Sequence, residues 1–257
     1  MQSDSKVAIV TGSATGVGAA TAERLAGRGW RVVINYRNSE TEARETQVAC
    51  AARGVETLLI QGDVAEEGDC RRLAQAALDA WGRIDALVNN AGVTKFVKYT
   101  DLNDLNAVDF QRIYAVNVIG AYQMVRACAP AMKRQGAGAV VNVSSIAGIT
   151  GMGSSVAYAA SKGALNNMTS ALARALAPEI RVNAICPGFI EGRWLRNGLG
   201  EQAYESFRKR YTDSVPLAST AQPEDIAESI VWLIEGARLV TGETIMVDAG
   251  MHLAPSL

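Results

Sequence analysis

The chain alternates short apolar segments, rich in β-branched residues, with helical segments of ten to fifteen residues or more. Continuous apolar runs of this kind are typical of strands buried on both faces of a sheet. Strands that alternate with helices pair in parallel, because each helix returns the chain to the edge where the next strand begins. Seven strands are predicted in this way, at residues 6–11, 31–36, 56–61, 84–89, 139–143, 181–186 and 244–247. We therefore expect an α/β fold, a doubly wound parallel sheet with helices on both faces.

Composition fits one domain and excludes several classes of partner. With 257 residues, of which 49% are hydrophobic and 20% charged, residues 1–257 are expected to form a single domain with a large core. The formal net charge of −1 gives no electrostatic footprint for nucleic acid or for an anionic membrane surface.

The cysteines and the N-terminal sequence bear on metal binding and cellular location. The four cysteines form no CxxC pair and the chain has a single histidine, His252, so no metal site is predicted. Free thiols in apolar surroundings fit a reducing compartment. The N-terminal sequence has no basic-then-apolar signal, and no apolar run approaches the ~18 residues of a membrane span. We expect a cytoplasmic protein.

A glycine-rich turn follows the first predicted strand. Gly12, Gly16 and Gly18 have GxxxGxG spacing and directly precede a helical segment. Glycines in this place permit a tight turn and a close approach of the backbone to a pyrophosphate, and the helix N-terminus supplies N–H groups and a positive dipole end. The turn predicts a dinucleotide-binding site.

The end of the second strand indicates which dinucleotide is bound. An NAD site usually has an acidic residue there, which binds the ribose hydroxyls. Here the strand ends at Tyr36 and is followed by Arg37, and no acidic residue occurs before Glu40. A guanidinium binds a 2′-phosphate through charge-assisted hydrogen bonds, whereas a carboxylate repels it. NADP(H) is therefore predicted in preference to NAD(H).

A candidate catalytic pair lies in the segment 144–162. Tyr158 and Lys162 are four residues apart in a helical pattern, so their side chains lie on the same helix face. A neighbouring ammonium is expected to lower the tyrosine pKa towards neutrality, which suits a general acid and base. Ser145 lies thirteen residues before Tyr158, after a predicted strand.

Taken together, these motifs resemble those of the short-chain dehydrogenase/reductase family, in its single-domain branch. The resemblance covers residues 6–250, nearly the whole chain. It is carried by the turn at 11–18, the Asn-Asn-Ala-Gly motif at 89–92, the tetrad Asn117, Ser145, Tyr158 and Lys162, Pro187-Gly188, and Val-Asp-Ala-Gly at 247–250. The family implies a Rossmann-type fold and hydride transfer between a nicotinamide and a carbonyl or secondary alcohol substrate.

The resemblance also implies a role for each member of the tetrad. Tyr158 donates a proton to the carbonyl oxygen, or accepts one in the alcohol direction, and Ser145 stabilises the charge that develops on that oxygen. Lys162 lowers the Tyr158 pKa and hydrogen-bonds the nicotinamide ribose. Asn117 lies inside a predicted helix at 108–135, where the family implies a local break and a water that links Asn117 to Lys162.

Cofactor contacts follow from the same motifs. Asp63 and Val64 are expected to flank the adenine, and residues 89–92 to line the middle of the cofactor. The full set of predicted contacts is Gly12, Ser13, Thr15, Gly16, Val17, Gly18, Tyr36, Arg37, Asn38, Asp63, Val64, Asn89, Ala91, Gly92, Tyr158, Lys162, Pro187, Gly188 and Ile190. The family further implies a homotetramer or homodimer.

The chain departs from the family pattern in two places. Gly192 stands where the family often has a threonine that contacts the cofactor, so that hydroxyl contact is not expected here. Pro178-Glu179 precedes the sixth strand where reductases of acyl-carrier substrates often have a basic residue, which weakens that assignment.

Residues 188–215 follow the sixth strand at the edge where ligands bind in such sheets, and we interpret them as a lid over the substrate. Their apolar and basic side chains suit many carbonyl compounds. The leading hypothesis is an NADP(H)-dependent carbonyl reductase or alcohol dehydrogenase. The alternatives are a 3-oxoacyl thioester reductase and a non-catalytic NADP-binding regulator.

Overall fold

The computed structural model describes residues 5–253 and contains one seven-stranded parallel sheet. The sheet order is β3-β2-β1-β4-β5-β6-β7. The strands are β1 (Val7–Val10), β2 (Arg31–Tyr36), β3 (Thr57–Gln61), β4 (Ala86–Asn89), β5 (Gly138–Val143), β6 (Ile180–Pro187) and β7 (Thr244–Val247). The predicted strands and the predicted fold class are confirmed. The single-domain prediction for residues 1–257 extends past both ends of the described residues.

Ten α-helices accompany the strands in residues 5–253. They are α1 (Gly16–Ala26), α2 (Glu40–Ala51), α3 (Glu67–Trp81), α4 (Ala107–Tyr114), α5 (Ala121–Gln135), α6 (Ala147–Thr150), α7 (Val156–Leu176), α8 (Arg193–Leu199), α9 (Glu201–Ser214) and α10 (Pro223–Glu235). In the described part of the chain, no helix is both long enough and apolar enough to span a bilayer.

The helices cover both faces of the sheet because side chains along each strand alternate between the faces. Ala8 and Val10 of β1 belong to a buried cluster that includes side chains of α1, α2 and α10. Val7 and Ile9 of the same strand belong to a second cluster with side chains of α3, α5 and α7. Strands with two buried faces explain the continuous apolar runs in the sequence.

The order of the strands reverses next to β1. The chain moves outward from β1 through β2 to β3, then crosses back to β4 on the other side of β1. At such a switch point the connections leave the sheet in opposite directions, so a crevice opens at the carboxyl ends of the strands. The glycine turn that follows β1 therefore lies at the edge of this crevice.

Two segments have local structure that the pattern of strands and helices in the sequence did not specify. The helix predicted at 108–135 is divided by a π-helical segment, Ala115–Gly120, between α4 and α5. This confirms the expected local break at Asn117. Residues 188–215, interpreted from the sequence as a lid, contain α8 and α9 joined at Gly200, whose φ of +77° ends one helix and redirects the chain.

Candidate active site

A cavity of about 1500 Å³ occupies the crevice at the carboxyl ends of the strands. Pockets for a single small ligand usually have volumes of ~300–1,000 Å³, so this cavity is large enough for two ligands side by side. Fifteen of the predicted site residues line it, namely Gly12, Thr15, Gly16, Val17, Arg37, Asp63, Val64, Ala91, Gly92, Ser145, Tyr158, Lys162, Pro187, Gly188 and Ile190. The fold thus brings the glycine turn and the tyrosine–lysine pair to the same cavity.

The three glycines of the turn lie in two kinds of environment. Gly12 has a φ of +61°, and a Cβ there would lie 2.9 Å from the Cα of Ala91. A Cβ on Gly18 would lie 2.5 Å from the Nδ2 of Asn90. Gly16 has a φ of +58°, and in the described structure no heavy atom lies within 4 Å of a Cβ built on it. The first and third glycines allow close packing, and the second borders open space at the start of α1.

The N-terminus of α1 is suited to an anion. Thr15 is its N-cap, but the Thr15 side chain makes no capping hydrogen bond, and the first helical turn, Gly16–Ala19, has no acidic residue. The first N–H groups of a helix have no partners within the helix and lie at the positive end of its dipole. A phosphate bound at this point would satisfy these groups, so the turn fits the dinucleotide predicted from the sequence.

Two asparagines fix the shape of the turn: Asn35, which was not predicted as a site residue, and Asn90, which belongs to the predicted segment 89–92. The Gly12 N–H donates to the Oδ1 of Asn35 at 3.1 Å, and the Nδ2 of Asn35 donates to the Gly62 carbonyl at 3.0 Å. The Nδ2 of Asn90 donates to the carbonyls of both Thr11 and Gly12 at 2.9 Å. Asn35 interrupts the apolar strand β2, and that polar residue in a buried strand was a usable signal in the sequence.

Arg37 lines the cavity just after the end of β2 and is paired with a carboxylate. Its Nε is 2.9 Å from the Oδ2 of Asp63, and both residues line the cavity. About half of the Arg37 side chain is exposed, so the guanidinium has donors left for a second anion.

Six predicted residues, within the described part of the chain, do not line the cavity: Ser13, Gly18, Tyr36, Asn38, Asn89 and Asn117. Several of their side chains instead make contacts within the core and between strands. Ser13 donates to the Val10 carbonyl at 2.7 Å, Tyr36 packs in the core, and Asn89 donates to the Oδ1 of Asn142 at 2.9 Å. The predicted cofactor contacts of these residues stay predictions.

Lys162 and Tyr158 of α7 point into the cavity beside Ser145. Lys162 is only 4% exposed, and its Nζ donates to the Val143 carbonyl at 2.8 Å. The same Nζ lies 5.6 Å from the centroid of the Tyr158 ring. Ser145 lines the same cavity, and its hydroxyl acts to lower the pKa of Tyr158, so both hydroxyls belong to one part of the site.

Asn117 lies in the π-helical segment and does not itself line the cavity. Its Oδ1 accepts from the Val93 N–H at 2.8 Å, and its Nδ2 donates to the Val93 carbonyl and to the Oγ of Ser161, both at 3.0 Å. A Cβ on Gly92 would lie 3.5 Å from the Oδ1 of Asn117 and 3.9 Å from the Nζ of Lys162. Because Gly92 has no side chain, the space between the amide and the ammonium stays open.

Burial dominates the ionisation of the pair. It raises the pKa of Tyr158 to about 12, although the hydrogen bond from Ser145 acts in the opposite direction. Burial also lowers the pKa of Lys162 to about 8. The expectation that Lys162 brings the tyrosine pKa towards neutrality is therefore wrong for the protein alone. The cost of removing the phenolate from water is the largest influence on this pKa, and it outweighs the effect of the Ser145 hydroxyl.

The candidate lid, residues 188–215, covers the Tyr158 side of the cavity. The Trp194 ring centroid is 6.5 Å from that of Tyr158. A Cβ on Gly198 would lie 2.1 Å from the Phe96 ring, so the lid helix α8 packs directly on that ring. Trp194 thus places apolar surface near the Tyr158 ring, and Phe96 lines the same cavity.

The base of the candidate lid is anchored to the sheet. A Cβ on Gly188 would lie 2.2 Å from the hydroxyl of Tyr211 in α9, and that hydroxyl donates to the Asp248 carbonyl at 2.7 Å. The Nδ1 of His252 lies 2.9 Å from the Oδ2 of the Asp248 side chain. Residues 5–253 contain no group of three or more His, Cys, Asp or Glu side chains able to bind a metal ion.

A parallel sheet with a glycine-rich turn and a buried tyrosine–lysine pair in one cavity is typical of nicotinamide-dependent oxidoreductases. A family model described as "Enoyl-(Acyl carrier protein) reductase" matches residues 12–252. The chain belongs to the short-chain dehydrogenase/reductase family and is a hydride-transferring enzyme.

Three similar proteins illustrate the range of the family. "Granaticin polyketide synthase putative ketoacyl reductase 2" of Streptomyces violaceoruber is 40% identical over 250 residues, 97% of each chain. The crystal structure of "a putative short-chain dehydrogenase/reductase" from Burkholderia xenovorans is 40% identical with a TM-score of 0.91, covering 98% of this chain and 100% of that one. Acetoin dehydrogenase from Enterobacter cloacae is 31% identical with a TM-score of 0.86, covering 98% of each chain.

Proposed function

We propose that the protein is an NADP(H)-dependent oxidoreductase that interconverts a carbonyl and a secondary alcohol, with Tyr158 as general acid and base. The observation that carries this proposal is that Ser145, Tyr158 and the buried Lys162 line one cavity, with the Lys162 Nζ 5.6 Å from the centroid of the Tyr158 ring. This arrangement faces the same cavity as the phosphate-binding turn. Bound NADP(H) supplies or accepts the hydride, and the chain's own residues control the proton.

In the reduction direction, both hydroxyls are positioned to donate hydrogen bonds to one carbonyl oxygen. Ser145 stabilises the negative charge that grows on that oxygen, and Tyr158 transfers its proton to it. A high pKa keeps Tyr158 protonated across the physiological range, as a proton donor requires. The Lys162 ammonium stabilises the phenolate that remains after the transfer.

The phenolate must regain its proton before the next turnover. Lys162 is within reach of the open space bordered by Gly92 and Asn117. A water in that space could pass a proton from solvent to Lys162 and on to Tyr158. The Asn117 amide is already bonded to Val93 and Ser161, so its role is to fix the shape of that space.

The preference for NADP(H) rests on Arg37. The guanidinium lines the cavity at the end of β2, and the position carries no carboxylate that would repel a 2′-phosphate. Its partner Asp63 satisfies only part of its five N–H donors, so a phosphate can bind on the remaining side.

The substrate end of the cavity suits a carbonyl compound with a large apolar group. The side chains of Phe96, Met152, Trp194, Leu199 and Phe207 line the cavity that contains Ser145 and Tyr158. Aromatic and aliphatic walls of this kind bind apolar surface without charge. A 3-oxoacyl thioester is the second candidate, favoured by the apolar walls and by the name of the relative from the granaticin synthase.

We further propose a homotetramer or homodimer. Large apolar side chains are exposed close together along the π-helical segment and α5, where Ile119 is 49% and Tyr122 is 45% exposed. A second copy of the chain that covers this face would remove them from water.

The test is oxidation of NADPH and of NADH with a panel of ketones, sugars and 3-oxoacyl thioesters. We expect turnover with NADPH and with at least one apolar carbonyl compound. A preference for NADH would contradict the role of Arg37. Tight binding of NADPH with no turnover on any member of the panel would contradict the proposed reaction.

A further inference from the structure

One arginine of the candidate lid reaches across the cavity to the phosphate-binding turn. Arg193 is the first residue of α8, and its Nη2 donates to the Oγ1 of Thr15 at 3.4 Å. Its Nη1 donates to the Oε1 of Glu42 in α2 at 2.6 Å. The guanidinium therefore joins three elements that are distant in sequence, and both Arg193 and Thr15 line the cavity.

The N-terminus of α1, which Arg193 reaches, is suited to an anion. Thr15 is the N-cap of α1, and its side chain leaves the first N–H groups of that helix uncapped. A guanidinium beside uncapped helix N–H groups gives charge and directed donors at one place. Arg37, on the same side of the cavity, has a comparable arrangement, since it too is paired with a carboxylate, that of Asp63. Both arginines are thus held in place by carboxylates that a phosphate can displace.

We propose that Arg193 is a phosphate ligand of the dinucleotide, delivered by the candidate lid, and that Glu42 competes with the phosphate for its guanidinium. This inference rests on the proposed dinucleotide-binding function. The phosphate chemistry is common to the diphosphate of both cofactors and to the 2′-phosphate of NADP(H). Comparison of NADPH with NADH separates these two sources, because NADH has only the diphosphate.

The contact also links cofactor binding to the substrate side of the cavity. Gly192, with a φ of +143°, precedes Arg193, and Trp194 follows it with its ring 6.5 Å from that of Tyr158. A phosphate that fixes Arg193 at Thr15 therefore fixes Trp194 over the reacting hydroxyl. The departure at Gly192 from the usual threonine is compensated, in this view, by the next side chain along the chain.

The test is equilibrium binding of NADPH and of NADH, measured by cofactor fluorescence, to the full-length protein and to Arg193→Gln, Arg193→Lys and Glu42→Gln. The matched control is Arg196→Gln, an arginine of the same helix that pairs with Glu201 and Glu205 and does not line the cavity. Far-ultraviolet circular dichroism and a thermal melt establish that each variant is folded.

We expect Arg193→Gln to raise the Kd for NADPH by ~10-fold or more, with a smaller rise for Arg193→Lys. An equal rise for NADH identifies the diphosphate as the ligand, and a rise confined to NADPH identifies the 2′-phosphate. Glu42→Gln is expected to tighten binding several-fold, because the competing carboxylate is removed. Arg196→Gln is expected to change neither Kd.

Unchanged Kd values for both cofactors in Arg193→Gln would overturn the inference. Equal losses of affinity in Arg193→Gln and Glu42→Gln would also overturn it, since the pair would then act only as a bridge between the candidate lid and α2. If the unaltered protein binds neither cofactor, the proposed function itself fails, and that outcome is distinct from both.

Discussion

The Nζ of Lys162 and the ring of Tyr158 lie 5.6 Å apart on one face of α7, and the Nζ donates a hydrogen bond to the Val143 carbonyl at the end of β5. This bond ties the helix that carries Tyr158 to the sheet that carries the glycine turn. The ammonium is therefore a structural contact as well as a source of charge, and its removal affects both.

Replacement of Tyr158 by phenylalanine tests the proton donor. The ring and its contact with Trp194 are retained while the hydroxyl is lost, so we expect kcat to fall by ~10²–10⁴-fold with little change in the Kd for NADPH. Tyr122→Phe, on the exposed face of α5, is the matched control and should retain full activity. Undiminished turnover in Tyr158→Phe would exclude this residue as the acid.

The buried lysine predicts a dependence of stability on pH. The pKa of Lys162 is lowered from 10.5 to about 8, so between these values the folded protein binds fewer protons than the unfolded chain. The free energy of unfolding should therefore rise as pH increases through this window. Between pH 7.5 and 9.5 the contribution of Lys162 is about 2 kcal/mol. Urea unfolding of the unaltered protein and of Lys162→Met at both pH values measures it.

Lys162→Met removes the titrating group. It should therefore also remove the contribution of Lys162 to the rise in the free energy of unfolding with pH. Equal changes in the two proteins would show that Lys162 ionises normally in the folded state. The Tyr158 pKa, raised from 10 to about 12, acts with the opposite sign. It favours the folded protein below pH 10, and that contribution is lost as pH rises towards 12.

Arg37→Gln tests the cofactor preference. The glutamine cannot form a charge-assisted bond with a 2′-phosphate, so we expect the KM for NADPH to rise ~10-fold or more while that for NADH changes little. The control is Arg44→Gln, whose arginine pairs with Glu40 on the surface of α2. Parallel changes for NADPH and NADH would show that Arg37 does not recognise the 2′-phosphate.

Gly188→Ala tests the anchor of the candidate lid. The new Cβ would lie 2.2 Å from the Tyr211 hydroxyl and 2.8 Å from the Cβ of Asp248, so α9 must shift. We expect a loss of ~1–3 kcal/mol in the free energy of unfolding and a raised KM for the carbonyl substrate. When Tyr211→Phe is combined with Gly188→Ala, the hydroxyl is absent. The double variant should therefore recover part of the lost free energy of unfolding.

Gly68→Ala in α3 is the control for this substitution. A Cβ there meets no heavy atom of the described chain within 4 Å, and alanine favours the helix by up to ~1 kcal/mol. Gly68→Ala should therefore be neutral or stabilising. A Gly188→Ala protein as stable as Gly68→Ala would contradict the packing described for Tyr211.

The sequence alone predicted the parallel sheet and the order of its strands along the chain. Strands buried on both faces must be continuously apolar, and that pattern is local, so it is legible in segments such as residues 31–36. The glycine turn and the tyrosine–lysine spacing were legible for the same reason. Each depends on a few neighbouring residues and on the geometry of one turn or one helix.

Only the tertiary structure decided which groups meet across elements and how they ionise. Asn35 lies 23 residues from Gly12 and Arg193 lies 178 residues from Thr15, so their contacts with the glycine turn depend on how the strands and helices pack. The pKa of Tyr158 likewise depends on how much water the surrounding elements exclude. Sequence spacing indicates which residues share a helix face, whereas desolvation results from packing of the whole chain.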